Sequence, residues 1–253
     1  MNPRWRRLRG VRAAFFDLGG TVLSVDHARV ARVLAEMGHA PRDGWVAPAE
    51  RAGRRECDRQ QRAGAPPETA WRSYFEAMLR SAGAPPETVE PAFQKLAEFH
   101  RRHNLWTRVV PGVREALTAL ARAGYRVAAI SNSDGRAEWL LGTVGLAREF
   151  EFVVDSHEVG FEKPDPRIFH LGCERLGLAP DRCAYLGDLL TVDVEGSAAA
   201  GLRPVLVDHF GSYDADEIPA DVPRAVEASE IVAGFRAAEA EENDPVDGRE
   251  EAR

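Results

Sequence analysis

The chain has 253 residues, of which 44% are hydrophobic and 29% are charged with mixed sign. This composition is typical of a globular protein with one full core and a smaller second unit, and it argues against a disordered or fibrous chain. The formal net charge of -7 argues against a general nucleic-acid binder, because affinity for a phosphate backbone depends on clustered Lys and Arg.

The N-terminal segment 1–12 is basic, but only four apolar residues follow it before Asp17. That run is too short for the apolar region of a signal peptide, and no run approaches the ~18 residues that a membrane span needs. We therefore expect a cytoplasmic protein without a membrane segment. Cys57, Cys173 and Cys183 form no C-x-x-C pair, which favours reduced, buried thiols over a disulfide or metal role.

Short apolar runs alternate with helical patterns along much of the chain. The runs predict strands at 11–18, 125–131, 150–156, 182–187 and 203–208, and the helical patterns lie at 112–124, 137–145, 166–177 and 193–201. Such alternation predicts an α/β fold with a Rossmann-like, doubly wound parallel sheet and helices on both faces.

Two segments depart from the alternation. Segment 26–108 has helical patterns and no convincing strand, so it predicts an all-helical cap inserted into a core formed by 1–25 and 109–225. Segment 226–253 ends in an acidic stretch with almost no large apolar residues, and it predicts a disordered tail.

Chemically suggestive residues lie at the carboxyl ends of the predicted strands or in the loops just after them. Asp17 lies at the end of the first predicted strand, Ser131 and Asn132 lie at the end of the second, Lys163 lies in a later loop, and Asp188 and Asp193 follow the fourth strand. The carboxyl ends of parallel strands share one crevice, which is where ligands bind in open α/β sheets. Singly, each residue has an ordinary explanation as a cap or loop residue, but together they predict one site.

The motifs together resemble those of the haloacid dehalogenase superfamily, in the subgroup with a helical cap after the first strand. The family pattern is D-x-D-x-[TV], then a Ser or Thr, then Lys often followed by Pro, then G-D-x-x-x-x-D. Here these read DLGGT (17–21), ISNSDG with Ser131, EKPDP with Lys163, and GDLLTVD with Asp188 and Asp193. The match extends from Phe15 to about Gly201.

The resemblance implies a role for each matched residue. Asp17 would be the nucleophile that forms an aspartyl-phosphate, and Mg2+ would be the cofactor. The metal would be held by Asp17, the carbonyl of Gly19, Asp188 and Asp193, the last of these orienting the metal shell.

The resemblance also implies a set of groups around a small phosphorylated substrate. Lys163 and Ser131 would act on the phosphoryl oxygens as further catalytic residues, and Gly20, Thr21 and Asn132 would bind the phosphate. Lys163 is one of only two lysines among 33 basic residues, which indicates that a compact ammonium is needed there.

Gly19 departs from the family pattern, because family phosphatases carry a second Asp there as general acid and base. Its loss costs ~10²- to 10⁴-fold where proton transfer is needed. Three alternatives are then open. The substrate has a leaving group acidic enough to depart unprotonated, or another residue such as Asp26 or His27 takes the place of the missing Asp. In the third alternative, the protein is a weak or inactive relative that binds a phosphorylated ligand or another protein. A dehalogenase is a fourth option, but the intact GDLLTVD favours phosphatase chemistry.

The polar segment 100–106, HRRHNLW, ends a predicted helix of the insertion. It is ordinarily just the polar end of a helix, and a role in binding an anionic substrate from the cap is the alternative interpretation.

Overall fold

The computed structural model describes residues 3–243, and these form an α/β fold around a six-stranded parallel sheet. The strand order in that sheet is β5-β4-β1-β6-β7-β8, and β2 and β3 form a separate antiparallel ribbon. The strands are β1 (Ala13–Phe16), β2 (Leu23–Val25), β3 (Trp106–Val109), β4 (Arg126–Ser131), β5 (Val153–Asp155), β6 (Cys183–Gly187), β7 (Arg203–Val207) and β8 (Arg224–Ala225).

Helices cover both faces of the sheet and fill the insertion between β2 and β3. They are α1 (His27–Glu36), α2 (Val46–Arg62), α3 (Pro67–Ser81), α4 (Pro86–His103), α5 (Val113–Arg122), α6 (Ala137–Thr143), α7 (Ser156–Val159), α8 (Pro166–Leu176), α9 (Gly196–Ala199) and α10 (Ala228–Asn243). The predicted fold class is thereby confirmed.

The central strand β1 shows why the sequence pattern is a continuous apolar run rather than an alternating one. All four of its residues are buried, and it pairs with β4 on one side and β6 on the other. Ala14 and Phe16 face one apolar cluster of the core, and Ala13 and Phe15 face the other. A strand covered on both faces needs apolar side chains at every position.

The four helices α1 to α4 have an apolar cluster of their own, centred on Phe75, Met78, Leu79 and Leu96. Pro67 and Pro86 begin α3 and α4, where a missing N–H costs little. The sequence predicted no strand in segment 26–108, and this was wrong at its end. Trp106–Val109 pairs with Leu23–Val25, so a two-stranded ribbon connects the sheet to the inserted helices.

The predicted disordered tail was also wrong for its first part. Ala228–Asn243 forms α10, whose Ile231 and Phe235 are buried against the main core, with Phe235 edge-on to Tyr125 at 5.0 Å. These apolar residues at helical spacing supply enough buried surface to hold the helix. The rest of the predicted tail, 244–253, lies outside the described residues.

Two smaller expectations can be checked against the same residues. The three cysteines are free thiols as predicted, with Cys173 and Cys183 buried and Cys57 half-buried. Of the helices within residues 3–243, none has the length and apolar character that crossing a bilayer requires.

Candidate active site

Residues from three neighbouring strands meet at the carboxyl edge of the sheet. Asp17 follows β1, Ser131 ends β4, and Asp188 follows β6, because these strands run parallel and in adjacent positions. All three residues line one cavity of about 570 Å3, together with Lys163 and Asp193. The convergence predicted from the sequence is therefore present in the structure.

Lys163 is the centre of the polar cluster. Its Nζ lies 2.6 Å from Asp17 Oδ1 and 2.8 Å from Asp193 Oδ1, and all three side chains are almost fully buried. Burial alone would lower the pKa of Lys163, but Asp17 and Asp193 outweigh it, so the pKa lies above its ordinary value. The ammonium therefore stays charged in the site.

The same cluster raises the pKa of Asp17 to about 6. Burial is the largest cause, and the neighbouring Lys163 opposes it without cancelling it. Burial likewise raises the pKa of Asp188 well above its ordinary value. Carboxylates whose pKa is shifted by burial beside a specific charged partner in a cavity are typical of catalytic or cation-binding positions.

Asp193 acts as a bridge between the lysine and the loop after β6. Its Oδ1 accepts a hydrogen bond from Lys163 Nζ, and its Oδ2 accepts hydrogen bonds from the N–H groups of Asp188 and Leu189 at 3.1 and 3.0 Å. A Cβ added at Gly187 would lie 2.4 Å from Asp193, so the glycine allows this close approach. Asp193 thus fixes both the lysine and the Asp188 loop.

Tyr185 of β6 is a part of the site that the sequence reading missed. Lys163 Nζ donates to the Tyr185 hydroxyl at 2.6 Å, and that hydroxyl donates to the carbonyl of Ile130 at 3.0 Å. In the sequence Tyr185 looks like any apolar residue of a buried strand. The two hydrogen bonds orient the ammonium toward Asp17.

Asn132 contacts the backbone of Lys163 rather than open space. Its amide donates to the Lys163 carbonyl at 2.9 Å, and its carbonyl oxygen accepts from the Lys163 N–H at 2.8 Å. Asn132 lines the cavity as well. Its visible function is to fix the loop that carries the lysine.

Contrary to the prediction from the sequence, the turn after Asp17 does not offer the N–H of Gly20 to a phosphate. The Gly20 N–H donates to the carbonyl of Leu23 at 2.7 Å, so this N–H belongs to the turn and not to a phosphate cradle. Gly20 has φ +95°, and a Cβ there would lie 2.2 Å from Asp188 Oδ2. The glycine is needed for room beside the carboxylate. Thr21 is buried, and its hydroxyl has no hydrogen-bond partner within residues 3–243.

Arg54 of α2 reaches the site from the inserted helices, which the sequence reading did not anticipate. Its Nε donates to Asp188 Oδ2 at 2.7 Å and its Nη1 donates to Glu50 Oε2 at 2.5 Å. Glu50 also accepts from the Tyr74 hydroxyl at 2.7 Å and contacts His27. This buried network links the helical insertion directly to a predicted metal ligand.

Asp26 and His27, the sequence candidates for a substitute acid or base, have structural partners. Asp26 accepts from the Arg29 N–H at the start of α1 and pairs with Arg108. His27 Nε2 lies 2.5 Å from Glu50 Oε1. Neither residue lines the cavity, which runs through Gly19.

The donor set suits a hard divalent cation. Asp17, Asp188 and Asp193 each place a carboxylate oxygen within 4.8 Å of the others. Counting Glu50, four buried carboxylates face two fixed cations, Lys163 and Arg54. Mg2+ prefers such oxygen ligands, and its charge would offset the excess of negative charge.

Comparison with known sequences gives a consistent result. A family model described as haloacid dehalogenase-like hydrolase matches residues 11–201. A phosphoserine phosphatase from Thermus thermophilus is 34% identical over 78% of this chain and 81% of its own length. Human haloacid dehalogenase-like hydrolase domain-containing protein 3 is 35% identical over 119 residues, 47% of each chain, so the match spans about half of that relative.

Comparison with solved structures shows the same fold. The HAD-hydrolase YfnB from Bacillus subtilis, solved with bound magnesium, gives a TM-score of 0.64 at 18% identity and covers 89% of this chain and 98% of that one. A dehalogenase solved as an intermediate complex gives a TM-score of 0.62 at 21% identity, covering 88% and 96%. At these identities the likeness concerns the fold alone.

Proposed function

Because the chain belongs to the haloacid dehalogenase-like hydrolases, we propose that it is a Mg2+-dependent phosphatase of a small phosphorylated metabolite. The observation that carries the proposal is the buried Asp17 carboxylate, 2.6 Å from Lys163 and clustered with Asp188 and Asp193. Relatives named as phosphoserine and glyceraldehyde 3-phosphate phosphatases favour the same chemistry. The proposal includes a cytoplasmic location.

In this mechanism Asp17 attacks phosphorus and forms an aspartyl-phosphate, which divides one difficult displacement into two easier ones. Lys163 stabilises the negative charge on the nucleophile and the phosphoryl oxygens, since its ammonium is already fixed by Asp193 and Tyr185. In this proposal Ser131 donates a hydrogen bond to the same group, and its burial at the end of β4 in the cavity lining supports that role.

Asp17, Asp188 and the Gly19 carbonyl would hold Mg2+, with Asp193 positioning the loop around it. An ion bound there would offset the negative charges of the carboxylate nucleophile and of the phosphoryl group, which otherwise repel each other. Arg54 occupies only Oδ2 of Asp188 among the contacts described, and this leaves the second oxygen of that carboxylate for the ion.

Gly19 supports a second candidate, a weak or inactive relative that binds a phosphorylated ligand or a protein. The residue that would protonate the leaving group and activate water is absent from this position. A 2-haloacid dehalogenase is a third candidate, and the carboxylate cluster at Asp188 and Asp193 disfavours it.

The test is Mg2+-dependent release of p-nitrophenol from p-nitrophenyl phosphate by wild type, Asp17→Asn and Asp181→Asn. Asp181 is the matched control, because it is an exposed Asp next to the opposite end of β6. We expect turnover by wild type and Asp181→Asn and none by Asp17→Asn. No Mg2+-dependent turnover by wild type would reject the phosphatase. Halide release from a 2-haloacid with a chelator present would identify the dehalogenase instead.

A further inference from the structure

The space beside Gly19 is filled by an indole ring. A Cβ built at Gly19 would lie 3.3 Å from Trp106 Nε1 and 3.4 Å from its Cδ1. The edge of Trp106 that carries the N–H therefore lies where a side chain at position 19 would begin. Both residues line the cavity that contains Asp17.

Trp106 is held in this position by its surroundings. It pairs with Val25 in the β2–β3 ribbon, and its ring lies 6.3 Å from Tyr74, 5.6 Å from Phe75 and 5.6 Å from His100. A side chain packed by three other rings has little freedom to leave. The indole is thus a fixed wall of the cavity at the point where Gly19 lacks an acid.

An indole N–H can donate a hydrogen bond, but it neither accepts one nor gives up its proton in proteins. Trp106 can therefore orient and partly stabilise an oxygen that gains negative charge. It cannot protonate that oxygen. A leaving group whose oxygen contacts only Trp106 departs as an anion.

Rings and aliphatic groups form most of the surface of the cavity that contains Gly19, and polar and charged side chains, among them Glu68, Arg101 and Glu162, form the rest. Trp71, Tyr74, Trp106 and Leu140 contribute to this lining, and the Tyr74 hydroxyl already donates to Glu50. The volume of about 570 Å3 exceeds what a phosphoryl group alone requires. An aromatic wall of this kind suits a ligand with a planar apolar body.

We propose that the site selects phosphate esters of weakly basic leaving groups with a planar apolar body, such as aryl phosphates, and that Trp106 donates a hydrogen bond to the departing oxygen. This inference rests on the proposed phosphatase function and specifies its substrate class. The bond from phosphorus to the leaving oxygen breaks while the bond from Asp17 to phosphorus forms, and the leaving group departs as its anion. Water then attacks phosphorus, which restores the Asp17 carboxylate and yields inorganic phosphate, and the proton released from water passes to solvent.

The test compares two isomers, 4-methylphenyl phosphate and benzyl phosphate. They have the same atoms and the same ring, but the first releases a phenol, with a pKa of about 10 like the Tyr side chain, and the second a far more basic alcohol. Since general acid catalysis contributes ~10²- to 10⁴-fold, we expect wild type to favour 4-methylphenyl phosphate by at least about 100-fold in kcat/KM.

Variants distinguish the effect of the Trp106 hydrogen bond from the effect of the missing general acid at position 19. Trp106→Phe keeps a ring and removes the donor, so kcat/KM on 4-methylphenyl phosphate should fall about tenfold or more, because kcat/KM reports the step in which the leaving oxygen departs. Gly19→Asp combined with Trp106→Ala makes room for a carboxyl group and should raise turnover of benzyl phosphate. Gly19→Asn with Trp106→Ala is the matched control, because the amide has the same size and cannot transfer a proton. Circular dichroism establishes that each variant is folded.

The outcomes are distinguishable from failure of the proposed function. Comparable wild-type rates on the two isomers would overturn this inference, because another group would then be supplying the proton, while the phosphatase itself would stand. An unchanged kcat/KM in Trp106→Phe would overturn the role of the indole N–H. No turnover of either isomer or of p-nitrophenyl phosphate would reject the phosphatase, and this inference with it.

Discussion

Replacing Arg54 with Met should destabilise the protein strongly, because Arg54 is the cation between two buried carboxylates. Its side chain is 3% exposed, and it contacts Glu50 at 2.5 Å and Asp188 at 2.7 Å. Hydrogen bonds to charged groups contribute about 1.5–3 kcal/mol each, so two of them give about 3–6 kcal/mol. Removing one partner of a buried pair typically costs about 3–5 kcal/mol, in agreement with that sum.

Thermal unfolding followed by circular dichroism, with a chelator present, measures this loss. At about 2–4 °C per kcal/mol for a chain near this size, 3–5 kcal/mol corresponds to a fall in Tm of about 6–20 °C. Arg59→Met is the matched control. Arg59 lies on the same helix and pairs with Glu56, but its side chain is 67% exposed, so little or no loss of stability is expected.

A double variant tests whether the effect is electrostatic. Glu50→Gln combined with Arg54→Met should lose less stability than the sum of the single variants, with a coupling of about 0.5–3 kcal/mol, because one unpaired charge has been removed. A loss for Arg54→Met below about 1 kcal/mol, or one equal to that of the Arg59 control, would refute the reasoning.

Three further predictions concern the cavity, α10 and the turn after Asp17. Burial lowers the pKa of His100, so this side chain binds a proton less readily in the folded protein than in the unfolded chain. The contribution of His100 to stability should therefore be full above about pH 6.5 and be lost below it, and His100→Asn should remove this contribution from the slope of Tm against pH. Phe235→Ala should lower the free energy of unfolding, measured with denaturant, by about 3–5 kcal/mol. Trp139→Ala, at a residue that is 53% exposed, should lower it by less than about 0.5 kcal/mol. Equal losses would contradict the packing of α10. Gly20 and Gly38 both have a left-handed backbone, so replacing either with Ala should cost about 1 kcal/mol. Only at Gly20 would the added Cβ overlap a carboxylate, so only Gly20→Ala should also lose the rise in Tm that Mg2+ causes in wild type. A rise in Gly20→Ala equal to that of wild type would count against a metal site there.

The parallel-sheet core and the convergence of site residues were predictable from the sequence. Strands buried on both faces leave continuous apolar runs, and the residues just after them reach one edge of the sheet. Asp17, Ser131 and Asp188 come together for this reason, because β1, β4 and β6 are neighbours. The family motifs added the roles that spacing alone does not give.

The contributions of the inserted helices were not predictable in the same way. Helix α2 carries several arginines, and the sequence offers no sign that Arg54 is buried while Arg59 is exposed. Strand β3 has only four residues of mixed polarity, too few to show a period of two, so the position of Trp106 beside Gly19 stayed hidden. Tertiary contacts over long sequence separations decide both features. The α10 segment was misjudged because its few apolar residues were diluted by the acidic end of the chain.

The most direct test of the account is to identify the residue that becomes phosphorylated during turnover. Wild type with p-nitrophenyl phosphate and Mg2+ is quenched in acid, and its peptides are weighed by mass spectrometry. Because Gly19 provides no base to activate water, breakdown of the intermediate should be slow, so the peptide containing Asp17 should carry one phosphoryl group in wild type and none in Asp17→Asn. Turnover with the phosphoryl group on another residue, or with equal labelling in Asp17→Asn, would contradict the central claim that Asp17 is the nucleophile.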